Sequence, residues 1–482
     1  MCIRDSYTAS RNKDVHGDTL IAVDLPGIGN FQCADDGGWK QYEVLENRHH
    51  LHGRYGEVDG ASSVITNEHT CTATDAAGNF KRLRQGQPYY CDGISMAMIK
   101  GVEYQLGGQR MDRHDKHTLY TWHLLNQVNV PHKMLGLADH SERELKLDSM
   151  AFQRKYCPLV FSFCRHPSMG IPLISNMYNN LIIQVDLEPF SALICNYAGA
   201  GLNGAGSVST VTGGGKTFFT RKRVGETTVA ASRSRGRHLT TADAQGFGDV
   251  ALDASDLAKE DFPVSVVSRV YFLGPQERYA FASNAHSQVV EACQRIKHSV
   301  TKQTEYTFET DTLQNACSVL YVVPQYRPQI AANRHFDYGG EYDHVRDYSW
   351  PALTTLQFST NGADLYSEQD QSFYQQVQPY AHHKNSARGD RKVYPMNFGI
   401  QANAMGPVQY RGAVNLSRSV NSQCKLGFAA NMWGVGSDGT TYAAASSSTT
   451  VLDIEFVVWN YNVLAYRGGI GGYKFTQSNN SL

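Results

Sequence analysis

The apolar residues of this chain come in short bursts. Runs of five to ten apolar or alternating residues recur at 20–25, 158–164, 181–187, 264–273, 318–323, 392–400 and 451–459, with clusters of Gly, Asn, Ser and Pro between them. Segments of this length, rich in β-branched and aromatic residues and punctuated by turn formers, specify the strands of a sandwich or barrel. Charged residues make up only 18% of the chain, beside 43 glycines and 27 tyrosines, a balance that suits short strands and many turns. At 482 residues the chain exceeds what one core fills, so two domains or more are expected.

Two stretches break the rhythm. Residues 196–261 are rich in Gly, Ala and Ser; Lys216 to Arg237 holds seven basic residues against one acidic, and Asp243 to Asp261 six acidic against one basic. The expectation is a long solvated loop whose oppositely charged halves can pair with each other or with a neighbouring chain. Residues 275–296 place small or apolar side chains at 282, 285, 289, 293 and 296, a helical spacing that Pro275 suits as first turn.

Several function classes fall away. A net charge of −1 argues against wrapping nucleic acid, and no apolar run reaches the length of a membrane span. The first residues lack a charged-then-apolar secretory pattern. Ten cysteines lie between Cys2 and Cys424 without a CxxC pair, which reads as buried reduced thiols. Gly213-Gly214-Gly215-Lys216-Thr217 approaches a phosphate-binding loop, but Thr210 stands where that pattern needs its first glycine. Cys164 beside His166 is read as core, because Pro167 turns the chain away from any shared face. His114 and His117 with Asp112 and Asp115, or His49, His50 and His52, lack a metal-site spacing. Glu341 and Asp343 make no catalytic pair by adjacency, and GxSxG is absent. No catalytic residue, metal or cofactor is expected.

The stretch 451–459 reads as a buried strand, and it runs through Asn460-Tyr461-Asn462-Val463-Leu464 into a glycine-rich exit at Gly468, Gly469, Gly471 and Gly472. That ending resembles the C-terminal signature of the major capsid proteins of nucleocytoplasmic large DNA viruses. Further matches follow the family's order. Arg11-Asn12-Lys13-Asp14 with Val23-Asp24-Leu25-Pro26 resembles "RNGD…VDLP", and Gly107-Gly108-Gln109-Arg110-Met111-Asp112 resembles "GGQRID". Pro158-Leu159, His166-Pro167 and Ile171-Pro172-Leu173-Ile174 follow the family's proline-rich segment. Tyr271-Phe272-Leu273, Glu277-Arg278 and Phe281-Ala282 are similar to "YIYLDTDERRRFAQ". Ser367-Glu368, Gln378-Pro379-Tyr380 and His382-His383 are similar to "FSERxGSYFNxVQPYxHH", and Asn415-Leu416-Ser417-Arg418 to "CNFSR". Gln276, the divergent 399–411 and the long 196–261 insertion depart from the pattern.

The resemblance implies an all-β chain of two consecutive eight-stranded jelly rolls. The first spans 7–273, a helical connector 274–286 and the second roll 287–482. Here resemblance and spacing differ: the spacing carries a helix through Ile296, whereas the resemblance starts a strand soon after His286, and the strand is the reading taken because tertiary pairing overrides a weak helical period. The signature positions Gly107, Gly108, Gln109, Pro172, Leu173, Glu277, Arg278, Gln378, Pro379, Tyr380, Asn415, Ser417, Arg418, Asn460, Tyr461, Asn462, Gly471 and Gly472 are implied to be structural. Residues 1–6 spell a translated sequencing adapter, so a truncated first roll is expected, without its first strand and most of its second, open at two sheet edges and poor at assembly.

The implied function is a structural capsid protein, found in the virion and assembled in host cytoplasm. Its implied partners are itself, as a homotrimer, neighbouring capsomers and minor capsid proteins, with no specific nucleic acid. Two alternatives stand beside it: a minor capsid paralogue of the same fold, and a secreted β-sandwich lectin or glycoside hydrolase.

Overall fold

The computed structural model describes residues 4–9, 13–25, 70–74, 80–82, 88–126, 131–137, 145, 148–149, 153–188, 192–196, 217–223, 247–253, 264–301, 303–327, 330, 333–343, 348–385, 392–402, 406–419, 421–429 and 451–475. In the N-terminal half the strands that build the layers are β1 (Arg4–Thr8), β2 (Val15–Leu25), β3 (Ile99–Leu106), β4 (Gln109–His114), β5 (Gln153–Pro158) and β6 (Leu181–Leu187). Helix α1 (Lys116–Asn126) follows β4. Strands β7 (Thr217–Arg223) and β8 (Phe247–Asp253) pair with each other, and β9 (Val264–Tyr271) closes this half. Helix α2 (Pro275–Ser283) leads into the second half. There run β10 (His286–Val300), β11 (Glu305–Glu309), β12 (Ala316–Tyr326), β13 (Leu353–Thr360) and β14 (Ala363–Asp370). After the short helix α3 (Gln378–His382) come β15 (Tyr394–Asn397), β16 (Gln423–Phe428), β17 (Leu452–Arg467) and β18 (Ile470–Tyr473).

The second half is a complete jelly roll. Its eight main strands, counted along the chain, form one sheet in the order first-eighth-third-sixth (β10-β17-β12-β15) and a facing sheet in the order second-seventh-fourth-fifth (β11-β16-β13-β14). The N-terminal half repeats that wiring: β1-β6-β3-β4 reproduces the second-seventh-fourth-fifth sheet, and β9-β2-β5 the eighth-third-sixth strands. Among the described residues no strand takes the first position beside β9. The expectation of two open edges changes here, because β1 pairs with β6 over Arg4↔Asp186 to Thr8↔Ile182. Residues 4–6, read at first as non-native, lie in that strand.

Local sequence explains the sharp corners. Gly107-Gly108 joins β3 to β4 and Gly468-Gly469 joins β17 to β18, with φ of 59° and 82°, and 62° and 81°. A two-residue hairpin needs positive φ at both positions to match the twist of its strands, and only glycine adopts it freely.

Two expectations are corrected and one choice between readings is decided. The strand expected over 158–164 ends at Pro158, and Ser162–Arg165 is a helical turn with all four residues buried. Between the two readings of 275–296 the structure agrees with the strand taken from the resemblance: the helix stops at Ser283, and from His286 the chain pairs residue for residue with β17 for fifteen positions. Tertiary pairing over that length overrides a weak local period. Within 196–261, read as a loop, β7 and β8 form a ladder that sets basic Arg221 opposite acidic Asp249; most of the segment lies outside the described residues.

The core explains why 451–459 alternates with Asp453 and Glu455 at first and then runs apolar on both faces from Phe456 to Trp459. Leu452, Ile454, Phe456 and Val458 of β17 enter the interior of the second roll with Leu320 and Val322. Val457, Trp459 and Tyr461, on the other face, join the first roll's core with Val319, Tyr321 and Val323. The sheet β10-β17-β12-β15 is thus a shared wall, and strands buried on both faces read as continuous hydrophobic runs.

Candidate functional site

The seam along this shared wall holds several clusters of buried, hydrogen-bonded polar groups. Its centre is Arg165, delivered by the helical turn after β5. Arg165 Nη1 donates to Glu291 Oε2 of β10 at 2.5 Å, and Nε donates to Val160 O at 3.0 Å. The guanidinium carbon lies 5.0 Å from the Trp122 ring centre of α1 and 4.7 Å from that of Trp459 of β17. Nη2 has no hydrogen-bond acceptor among the described residues; the two indole faces take that role electrostatically. Ser318 Oγ donates to Glu291 Oε1 at 3.2 Å, and Ser162 Oγ bonds both the N–H and the carbonyl of Glu291.

A second knot ties the end of α1 to the second roll. Asn126 Nδ2 donates to Tyr321 Oη at 3.0 Å, while Asn126 Oδ1 accepts from His383 Nδ1 at 2.8 Å. Asn397 Nδ2 donates to His383 Nε2 at 3.0 Å, which sets the neutral tautomer. Burial, aided by neighbouring His382, pulls the His383 pKa down to about 3.

A third cluster gathers at the start of α1. Asp115 caps the helix, accepting from Thr118 N at 2.9 Å and Thr118 Oγ1 at 2.8 Å. Arg295 of β10 bridges Asp115 and Glu455 of β17, the latter at 3.0 Å, and Gln325 Nε2 donates to Glu455 Oε2 at 3.0 Å. Burial, then the Asp115 charge, pushes the Glu455 carboxyl up to about 7. Burial also raises Asp115, but Arg295, His117 and the Thr118 donors outweigh it and hold that carboxyl below its usual range. Donor atoms of Asp115, His117 and Glu455 lie within 4.8 Å of one another, a spacing a metal ion could use. The cation between the carboxylates is the guanidinium of Arg295, and His117 Nδ1 is engaged with Tyr338 Oη at 3.1 Å. These residues form an ion-pair network with its own cation.

The signature positions are spread across both rolls. Gln109 opens β4, and Pro172 pairs with Val15 while Leu173 N donates to Asp14 O at 2.8 Å. Glu277 Oε2 accepts from Gly274 N at 2.9 Å and starts α2; Arg278 Nε and Nη2 both donate to Asp14 Oδ2, fastening α2 to the first roll. Gln378 is buried and accepts from Asn397 and Tyr366, whereas Pro379 lies in the first turn of α3 and Tyr380 is 88% exposed. Asn415 Oδ1 caps the turn at Ser417 N, Ser417 Oγ accepts from Asn315 N, and Arg418 ends that turn. Asn460 Nδ2 reaches Gln294 Oε1 at 2.8 Å, Tyr461 Oη accepts from Arg411 N, and Asn462 bonds both backbone groups of Phe475. Gly471 N donates to Asn176 Oδ1 at 2.9 Å, and Gly472 pairs with Ala465.

The His and Asp residues weighed for metal binding divide into two packed pairs, His114 with Asp112 and His117 beside Asp115. His114 Nε2 bonds Asp112 Oδ2 at 3.0 Å and its ring stacks on Phe161, while His117 faces Tyr338 and Phe336. Burial pushes the Cys164 thiol well up, which makes it inert. Glu341 and Asp343 share the strand Gly339–Asp343. His49, His50, His52 and Gly213–Lys216 lie outside the described residues. The described cysteines are free thiols, and no helix among the described residues is long and apolar enough to cross a membrane.

Two rolls of one wiring, welded through a common sheet, define a double jelly-roll protein. Residues 277–472 match the family model described as large eukaryotic DNA virus major capsid protein, and residues 63–213 match that of the major capsid protein N-terminus. The chain is 21% identical over 401 residues to the major capsid protein of Pyramimonas orientalis virus, covering 79% of this chain and 76% of that one. Identity to the major capsid protein of Paramecium bursaria Chlorella virus 1 is 22% over 420 residues, covering 78% and 79%. Among solved structures, the PBCV-1 virus capsid superposes with a TM-score of 0.61 at 17% identity, over 98% of this chain and 93% of that one. The Faustovirus major capsid protein gives 0.53 at 13%, over 96% and 88%. The chain belongs to the major capsid proteins of large eukaryotic DNA viruses.

Proposed function

We propose that three copies of this chain form a pseudo-hexagonal capsomer that tiles the faces of an icosahedral virus shell, and that its role is assembly without catalysis. The observation that carries this reading is the repeated wiring. Two rolls of like topology, fixed side by side by the shared wall, present two near-equivalent blocks per chain, and a three-fold axis turns them into six. Closed symmetry then sets the contacts between chains. Exposed large apolar side chains supply surface for them: Tyr178, Phe272 and Tyr279 at the first roll and connector, Tyr380, Ile400 and Tyr410 on the second. Neighbouring capsomers and minor capsid proteins complete the shell, built in the host cytoplasm. Sedimentation equilibrium of the full chain tests the reading. The expected mass is three times the 53.5 kDa of the chain; a monomer at all concentrations that binds or cleaves oligosaccharide would favour the lectin or glycosidase alternative. A low copy number in purified particles would favour a minor paralogue.

A further inference from the structure

A cavity of about 300 Å³ opens at the seam between the rolls, beside the Asp115–Arg295–Glu455 cluster. Five cationic side chains line it: Lys100, Arg113 and Lys116 from the first roll, Arg295 and Lys297 from the second. Only two carboxylates line it, Asp115 and Glu455, and both are already bridged by Arg295. Arg113, Lys116 and Lys297 pair with carboxylates outside the lining, and Lys116 Nζ also reaches His335 Nδ1 of the lining at 3.3 Å. Arg113 lies 3.9 Å from Asp186, Lys116 3.0 Å from Glu188 and Lys297 3.4 Å from Asp453, and none of these partners lines the cavity. An ammonium or guanidinium with one such partner keeps further N–H donors for another acceptor. The amino end of the eleven-residue helix α1, capped by Asp115, borders the same space.

We propose that this cavity binds a small multivalent oxyanion of the polyphosphate class, clasped between the two rolls. Cations converge from both sides, so an anion with charges spread over several oxygens engages both rolls, whereas a compact monophosphate reaches fewer of them. Glu455 adds a proton linkage. It faces Arg295 and Lys297 from β10, Asp115 and His117 from the start of α1 and Gln325 from β12. An incoming anion favours its protonated form, so anion affinity falls as the pH rises from 6 to 8. The site lies within one chain and does not rest on the capsomer reading.

Isothermal titration of the full chain with sodium tripolyphosphate tests the proposal, with inorganic phosphate, sulfate and a 20-mer oligonucleotide as comparators at matched ionic strength. One tripolyphosphate per chain is expected, bound more tightly than the comparators and more tightly at pH 6 than at pH 8. Lys100→Gln/Lys297→Gln should weaken it on the order of tenfold, while Lys425→Gln, on the opposite sheet of the second roll, leaves it unchanged. Lys100→Glu alone, at an exposed strand position, supplies the same reading if the double variant does not fold. Absence of saturable heat, equal affinity in the double variant, an equal loss in Lys425→Gln, or equally tight oligonucleotide binding would each overturn the site. Sedimentation of the same sample reports the capsomer reading separately.

Discussion

Replacing Arg165 tests whether the seam is held by its buried ion pair. The Arg165 side chain is fully buried, its Glu291 partner is 3% exposed, and Arg165→Met removes the guanidinium from a carboxylate that also accepts from Ser318 Oγ. Removing one member of a buried pair strands the other charge and costs about 3–5 kcal/mol. Lost contact with two indoles adds to this, so a value near the upper end, about 5 kcal/mol, is expected. With an unfolding entropy of about 2.1 cal/mol/K per residue, a chain of this length melting as one unit loses roughly 1 °C per kcal/mol, hence about 5 °C. Glu291→Gln should cost about 3 kcal/mol, because it keeps an acceptor but leaves the guanidinium charge unpaired. The double variant Arg165→Met/Glu291→Leu removes both charges and should recover to within about 2 kcal/mol of the parent, a coupling well outside additivity. Differential scanning calorimetry at one protein concentration reads all three, with oligomeric mass checked in each because assembly shifts the midpoint. A shift below about 1 °C for Arg165→Met, or strictly additive losses in the double variant, refutes the account.

Two further outcomes follow from the same geometry. Glu455 titrates near 7 in the folded chain against 4.5 unfolded, so the folded state binds its proton more tightly. The stability linked to that proton is full below about pH 4.5 and is lost as the pH rises through 7, by at most about 3 kcal/mol. Glu455→Gln should flatten this slope and raise the midpoint at pH 8, with Asp115 still paired to Arg295; parallel midpoint curves for parent and variant between pH 5 and 8 would count against it. The two signature glycines should separate: a Cβ on Gly471 meets the Tyr466 ring at 2.8 Å, and one on Gly472 meets nothing within 4 Å. Gly471→Ala should then cost about 1–3 kcal/mol and Gly472→Ala much less, read by urea midpoints.

Much of the fold was legible, for reasons tied to particular segments. The unbroken apolar run at 456–459 exists because β17 is buried on both faces. The helical period over 275–296 carries no weight because Val289 is 38% exposed and the buried positions of β10 are Val290, Glu291, Ala292, Gln294 and Val300, three of them not large apolar residues. Nothing local announces the seam. Arg165 and Glu291 lie 126 positions apart, Arg295 and Glu455 160 apart, and each reads alone as an ordinary surface charge. Cys164 drew attention in that stretch, yet its neighbour Arg165 makes the cross-roll contacts. Burial of a charge depends on what arrives opposite it, and sequence periodicity does not encode that.

The shared wall also sets a timetable. β17 is synthesised after all the other described strands except β18, yet it is the central strand that both cores lean on. While the ribosome is still making residues 287–450, the first roll lacks Val457, Trp459 and Tyr461 against its interior. A chain built this way commits late: neither roll finishes burying its apolar surface until the last long strand emerges. Nascent chains therefore carry an exposed apolar face for most of their synthesis, the interval in which such surfaces call on chaperones.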